Sequence, residues 1–303
     1  TPDPWQHYSG MLPGWMSGHY ALDDIRVDLE RLAAAAGARL LFLKMIALDA
    51  DHKCVRLSDG QQLRYDLLSL DIGSETKRDW LEDCGRRLVT VKPIDEFARQ
   101  WETIICEAAE RDRYDLAVVG GGAAGVELAF AAWKALSRKS ADVRVHLVTG
   151  AKDFLRGHSP KVKALTLAAL GRAGIVVHAH KAAGTASGLL LSSGASLPAD
   201  CVLAATGASA PVVLRTSRLA LDAEGFVQVD NCHRSLSHPE VFAAGDVCSM
   251  TDRALQRSGV HAVRAGPVLA ENLTAALLGR PLRPHRPRNT VLYIIACGGK
   301  TAI

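Results

Sequence analysis

The stretch Tyr114-Asp115-Leu116-Ala117-Val118-Val119-Gly120-Gly121-Gly122-Ala123-Ala124-Gly125-Val126-Glu127-Leu128 decides the fold. A short apolar run, 116–119, fits a buried strand. It feeds into Gly120-x-Gly122-x-x-Gly125 and an alanine-rich helical segment, 126–136. This is the strand, turn and helix of a dinucleotide-binding βαβ unit. Gly120 permits the tight turn, Gly122 lets backbone N–H groups approach a pyrophosphate, and Gly125 lets helix and strand pack closely. The helix N-terminus then meets the phosphates with free N–H groups and the positive end of its dipole. A chain with 26 glycines also produces such spacings as plain turns, so the flanking strand and helix carry the assignment.

Composition sets the bounds. At 303 residues and 48% hydrophobic the chain can bury one large core or two modest ones, and two domains is the expectation. The net charge is +4, with basic residues scattered among 32 acids, so nothing argues for nucleic acid. Seven cysteines occur without a Cys-x-x-Cys pair, which suits reduced thiols in a cytoplasmic compartment and offers neither a disulfide framework nor a metal site. Arg39 and Lys44 interrupt the most apolar region, so no membrane-spanning helix is expected.

Outward from the glycine stretch, the chain repeats itself. Asp28 can cap a helix over 29–36 closed by Gly37, and a strand is expected over 39–48. Ser159-Pro160 opens a second helix as cap and first residue, Gly174 closes it, and strands are expected over 143–148 and 175–178. Leu57-Ser58-Asp59-Gly60-Gln61-Gln62-Leu63-Arg64-Tyr65-Asp66 matches Leu191-Ser192-Ser193-Gly194-Ala195-Ser196-Leu197-Pro198-Ala199-Asp200 in Leu, Ser, Gly, Leu and Asp. Gly73 and Gly207 keep the same offset of 134 residues, which marks an internal repeat. The chain opens on Thr1, and by this offset the glycine loop of the first copy is expected to precede it. Towards the end, a helix is expected over 267–278 with Pro267 as its first residue, and a last strand over 291–296.

Tandem dinucleotide folds with an Ala-Gly-Asp signal after the second resemble the flavoproteins of the pyridine nucleotide-disulfide oxidoreductase superfamily. The likeness is closer to type II NADH dehydrogenases, and closest to the flavoprotein module fused to selenide, water dikinases. Its carriers are Tyr8-Ser9-Gly10-Met11-Leu12-Pro13-Gly14, Asp71-Ile72-Gly73-Ser74, Val91-Lys92-Pro93-Ile94-Asp95, the glycine loop, Ala243-Ala244-Gly245-Asp246-Val247 and Val263-Arg264-Ala265-Gly266-Pro267-Val268-Leu269-Ala270-Glu271-Asn272-Leu273.

The resemblance implies an α/β chain of two Rossmann-like, three-layer domains. An FAD domain, 1–111 and 209–303, is interrupted by an NAD(P) domain, 112–208. It implies hydride transfer from NAD(P)H to FAD and on to a small-molecule acceptor such as a quinone. Peripheral contact with the inner face of a membrane and a selenide, water dikinase fusion partner are among its expectations. For FAD it implies Leu12 and Pro13 beside the ring system, Gly73 and Ser74 along the cofactor, and Gly245 and Asp246 at the ribityl chain. Gly266 and Pro267 would aim a helix N-terminus at the flavin. Thr206 and Gly207, with Gly120, Gly122 and Gly125, would serve the nicotinamide nucleotide.

Glu127 lies on the first helical turn, where the resemblance implies a catalytic glutamate near the nicotinamide; an acid complementing the helix dipole fits the same position. Asp246 is open in the same way to being an ordinary loop acid. The superfamily's redox cysteine pair has no counterpart near Leu12, which disfavours a dithiol relay. Thr149-Gly150-Ala151-Lys152 follows the 143–148 strand where an acid would hold a ribose 2′-hydroxyl, so NADH specificity is not indicated, and Lys152 could face a 2′-phosphate or solvent. Two alternatives stay open: a sulfide- or selenide-handling flavoprotein using a thiol such as Cys297, and a non-catalytic nucleotide-binding module.

Overall fold

A computed structural model describes residues 1–303 apart from 140–141, 151–153, 254–256 and 288–291. Lys152 and Val291 therefore lie outside the described residues. The chain forms two compact units: 1–6, 28–75 and 208–292 make the first, and 7–27, 76–207 and 293–303 the second.

The second unit is built on a five-stranded parallel sheet in the order Val176–His178, Asp142–Val148, Arg113–Val119, Cys201–Ala204, Leu88–Thr90. Both faces are covered, which is why 116–119 reads as an unbroken apolar run. Alternation along Arg113–Val119 sends Leu116 and Val118 into one core with Ala129 and Phe130 of the Ala123–Leu136 helix. Ala117 and Val119 enter the other, with Leu189, Leu191 and Leu197 of a three-stranded antiparallel meander, Ala182–Thr185, Gly188–Leu191 and Ser196–Pro198. Helices, sheet and meander form three layers.

The first unit contains a matching meander, Met45–Asp49, Cys54–Leu57 and Gln62–Arg64. Its last two strands fall at the expected offset of 134 from Gly188–Leu191 and Ser196–Pro198. Beyond it, Leu68–Leu70 pairs in parallel with Val241–Ala243, and Val227–Val229 with Cys248–Met250. The expected caps hold. Asp28 accepts the Arg31 N–H at 2.9 Å ahead of Leu29–Ala36, and Ser159 accepts that of Val162 at 3.3 Å ahead of Pro160–Arg172.

Four expectations need correction. The strand expected over 39–48 is confined to Met45–Asp49, where a meander partner exists to take its hydrogen bonds. Residues 292–295 form no strand; the segment makes one isolated bridge, Ala296 to Ala302. The helix expected from Pro267 begins at Gly259 and runs to Leu277, with Ser258 as its cap and Pro267 inside. Proline is tolerated there because Val263 and Pro267 lie on the exposed face, where water can hydrate the carbonyl left without its N–H partner. The boundary expected at 112 falls at 76 instead, because Leu88–Thr90 is the edge strand of the glycine-loop sheet. Ile94–Ala109, a 16-residue helix, buries Phe97, Trp101, Ile104 and Ala108 in the same unit.

Candidate functional site

In the second unit the register places Val119, Val148 and Ala204 at one end of the sheet. The turns that follow them, 120–122, 149–150 and 205–207, therefore open at the carboxyl ends of parallel strands, where α/β sheets bind their ligands. Gly120 has φ +147°, and a Cβ there would stand 2.2 Å from Ala205 O. A Cβ on Gly125 would stand 2.0 Å from Gly120 O, so the helix closes against its own loop. Gly122 differs: as the N-cap of Ala123–Leu136 it has φ −78°, and a Cβ would meet nothing within 4 Å. A side chain at Gly122 would therefore project into open space. The turn itself is held by Gly120 N–H to Val148 O at 2.9 Å and Leu155 N–H to Gly121 O at 2.7 Å. Thr206 Oγ1 donates to Lys77 O, and Gly207 O accepts the Lys77 N–H at 3.2 Å, so both residues are tied to one neighbouring strand end.

Leu12 and Pro13 belong to this unit, on the short Leu12–Met16 helix, and Leu12 packs in the core with Val126 and Phe130. Glu127 Oε1 accepts the Ala296 N–H at 2.9 Å, which fastens the 293–303 segment to the glycine-loop helix. Burial pushes this carboxyl above the usual glutamate range, against the lowering effect of the Ala296 hydrogen bond. Burial and the Glu127 charge likewise push the Cys297 thiol up, while its Sγ points at Ile295 O, 3.6 Å away.

Gly73, Ser74, Gly245, Asp246, Gly266 and Pro267 belong to the first unit. Gly73 and Gly245 have φ of +70° and +72°, and Ser74 Oγ donates to Asp246 Oδ2 at 3.2 Å. Asp246 and Gly245 border a cavity of about 450 Å³. Ser258, His261 and Ala265, of the Gly259–Leu277 helix and its cap, also line it, so the first turns of this helix border the cavity; the helix begins eight residues ahead of the expected place. Gly266 and Pro267 lie on the outer, exposed face of that helix and do not line the cavity. Arg257 closes one wall, its guanidinium 3.4 Å from the Phe226 ring centroid and its Nε donating to Asp246 O at 3.3 Å. His233 and His285 also line the cavity, and no sequence motif marked them. They are 52 residues apart, and only the fold joins them.

The model of the pyridine nucleotide-disulphide oxidoreductase family matches residues 96–266, more than half of the chain. Among curated proteins, the chain is 26% identical over 278 residues to the demethylphylloquinone reductase NdbB of Synechocystis sp., covering 87% of this chain and 68% of that protein. It is 28% identical over 264 residues to the alternative NAD(P)H-ubiquinone oxidoreductase C1 of Arabidopsis thaliana, covering 78% and 50%. The chain thus spans about half to two thirds of the length of these relatives. Among solved structures, the sulfide:quinone oxidoreductase of Aquifex aeolicus superposes with a TM-score of 0.80 at 16% identity, over 98% of this chain and 74% of that one. The putidaredoxin reductase–putidaredoxin complex gives 0.76 at 22%, over 96% and 70%. These two likenesses establish the fold, and the match over 96–266 establishes more: the chain belongs to the pyridine nucleotide-disulphide oxidoreductase family, whose membership implies FAD and NAD(P)H as cofactors.

Proposed function

We propose that the protein is an FAD-dependent oxidoreductase that passes hydride from NAD(P)H to the flavin and on to a quinone or other small-molecule acceptor. The observation that carries this is the glycine loop. Gly120 and Gly125 admit no side chain, Gly122, the N-cap of a helix, faces open space, and the loop stands at the carboxyl end of a parallel sheet. That arrangement fits a pyrophosphate, so the second unit, whose sheet lies within 76–207, is the NAD(P)H unit. The first unit fits a flavin through its cavity: the Asp246 carboxylate offers acceptor oxygens for hydroxyl donors, and the first turns of the Gly259–Leu277 helix border the same cavity.

When bound, FAD supplies the hydride chemistry. The chain's own work is positioning. Ser74 holds Asp246 by its Oδ2, Arg257 fixes the Asp246 backbone carbonyl, and Gly120–Gly122 hold the nucleotide by backbone groups. Glu127 keeps the 293–303 segment on the glycine-loop helix, and burial holds its carboxyl above the usual glutamate range. Support for a quinone acceptor comes from the two curated relatives named above, which are described as reductases of demethylphylloquinone and ubiquinone. No helix among the described residues is long and apolar enough to cross a membrane; in this reading the protein meets a lipid-borne quinone by peripheral contact at the inner face of the membrane. A selenide, water dikinase partner, fused or bound, completes the reading and is checked by co-purification with that enzyme.

Anaerobic mixing with NADH and, separately, NADPH should bleach the flavin absorbance, and a quinone should restore it. A flavin that neither coenzyme bleaches would refute the proposal. Cys297→Ser should leave the reduction rate within a few-fold of the parent, because a thiol pushed up in pKa is a poor nucleophile at neutral pH. A severe loss with sulfide as donor would favour sulfur chemistry instead.

A further inference from the structure

The first-unit cavity contains a hydrogen-bond chain whose direction is fixed at one end. Ala243 O can only accept, so the His233 Nδ1 that stands 3.2 Å from it carries the proton. In the neutral ring Nε2 is then an acceptor, and its partner, His285 Nδ1 at 2.8 Å, must donate. With its own Nδ1 protonated, a neutral His285 carries a lone pair on Nε2. Among the described residues Nε2 has no partner, and His285 lines the cavity.

Neutrality follows from the surroundings. His233 is 3% and His285 7% exposed, and burial lowers both pKa values; for His285 the charges of His233, His261 and Arg253 act in the same sense. The backbone that carries both rings is held in place. His233 sits at φ +65° with its N–H on Asp230 O and its carbonyl accepting from Ala243 N–H. The 283–285 segment is pinned by the fully buried Asn272, which donates to Cys232 O and Arg283 O and accepts from Arg283 N–H, while His285 N–H donates to Asn231 O at 2.7 Å. The lone pair of His285 Nε2 is therefore left for a polar ligand in the cavity to complete, since polar groups in folded interiors are hydrogen-bonded.

We propose that His285, oriented through His233, is a cofactor-binding residue whose Nε2 accepts a hydrogen bond from an N–H or O–H of the flavin. The inference rests on the flavin reading above. Its specificity is chemical: the site favours a donor and rejects an acceptor at that point.

FAD titration of the apoprotein of the natural chain, followed by flavin fluorescence, tests it. His285→Gln places an amide oxygen near the Nε2 position and should bind FAD within about threefold of the parent, whereas His285→Leu should bind roughly tenfold more weakly, the scale of one lost hydrogen bond. A parent that binds FAD with a Leu variant that binds equally well would overturn the inference and leave the flavin reading standing. A parent that binds no flavin would overturn both. Should the Leu variant not fold, nitrogen NMR of the parent decides. His285 Nε2 should show the resonance of an unprotonated nitrogen that moves on adding FAD, and a protonated or unmoved Nε2 would refute the assignment.

Discussion

Gly122 and Gly125 stand three residues apart and should respond oppositely to a methyl group. Gly125→Ala drives a Cβ to within 2.0 Å of a backbone oxygen and should cost several kcal/mol, on the order of the larger single-site losses, about 4 kcal/mol. Gly122→Ala meets nothing and has an ordinary φ, so the melting temperature should hold while affinity for NAD(P)H falls. Unchanged nucleotide affinity in Gly122→Ala would mean that the loop is a turn and no cradle. Glu127 gives a test in pH. Burial raises its folded-state pKa, so the native state resists ionisation, and that penalty is absent below the unfolded value and complete above the folded one. Glu127→Gln should therefore gain stability relative to the parent as pH rises upward from the usual glutamate range; a pH-independent difference in urea midpoints would contradict the burial argument. The glycine roles were legible in the sequence because a tight loop leaves its mark in local spacing. The His233–His285 chain was not, since its partners meet only after the Val241–Ala243 strand and the 283–285 segment are in place.

At the scale of elements, caps were readable and packing was not. Asp28 and Ser159 announce their helices because a cap is a bond between near neighbours. Ile94–Ala109 carried its own signal, Asp95 and Glu96 in the first turn and Phe97, Trp101, Ile104 and Ala108 on one face, but Val91-Lys92-Pro93 reads equally as a loop. The apolar end of the chain suggested a strand that forms no ladder among the described residues. There the Cβ position of Gly298 comes within 2.6 Å of Phe130 O, and the segment is held to a helix instead of a sheet. Asn272 is the element-scale feature with the largest expected effect, since one buried amide serves three backbone groups of two separate segments. Asn272→Ala should cost about 3 kcal/mol, the sum of a few unsatisfied buried groups, in urea unfolding. A loss under about 1 kcal/mol would mean that water replaces the amide.

For the whole molecule, the repeat foretold two related halves, while the boundary between them followed sheet pairing that no linear motif records. Leu88–Thr90 joins the glycine-loop sheet through Cys201–Ala204, so its hydrogen bonds belong to the second unit although it lies before the expected domain start at 112. Native-state hydrogen exchange should show this directly. Amides of Leu88–Thr90 and Ile94–Ala109 should open with those of Arg113–Val119, because cooperative opening follows shared cores. Amides of Cys54–Leu57 and Val241–Ala243, which share the other core, should open as a separate group. Ligands sharpen the test, since a ligand protects the unit that binds it by its own binding free energy. Saturating NAD(P)H should slow exchange across the first group, and FAD across the second. Were NADPH to protect Cys54–Leu57 while leaving Leu116 and Val118 unchanged, the assignment of nucleotides to units would be reversed, and the glycine loop would lose its role.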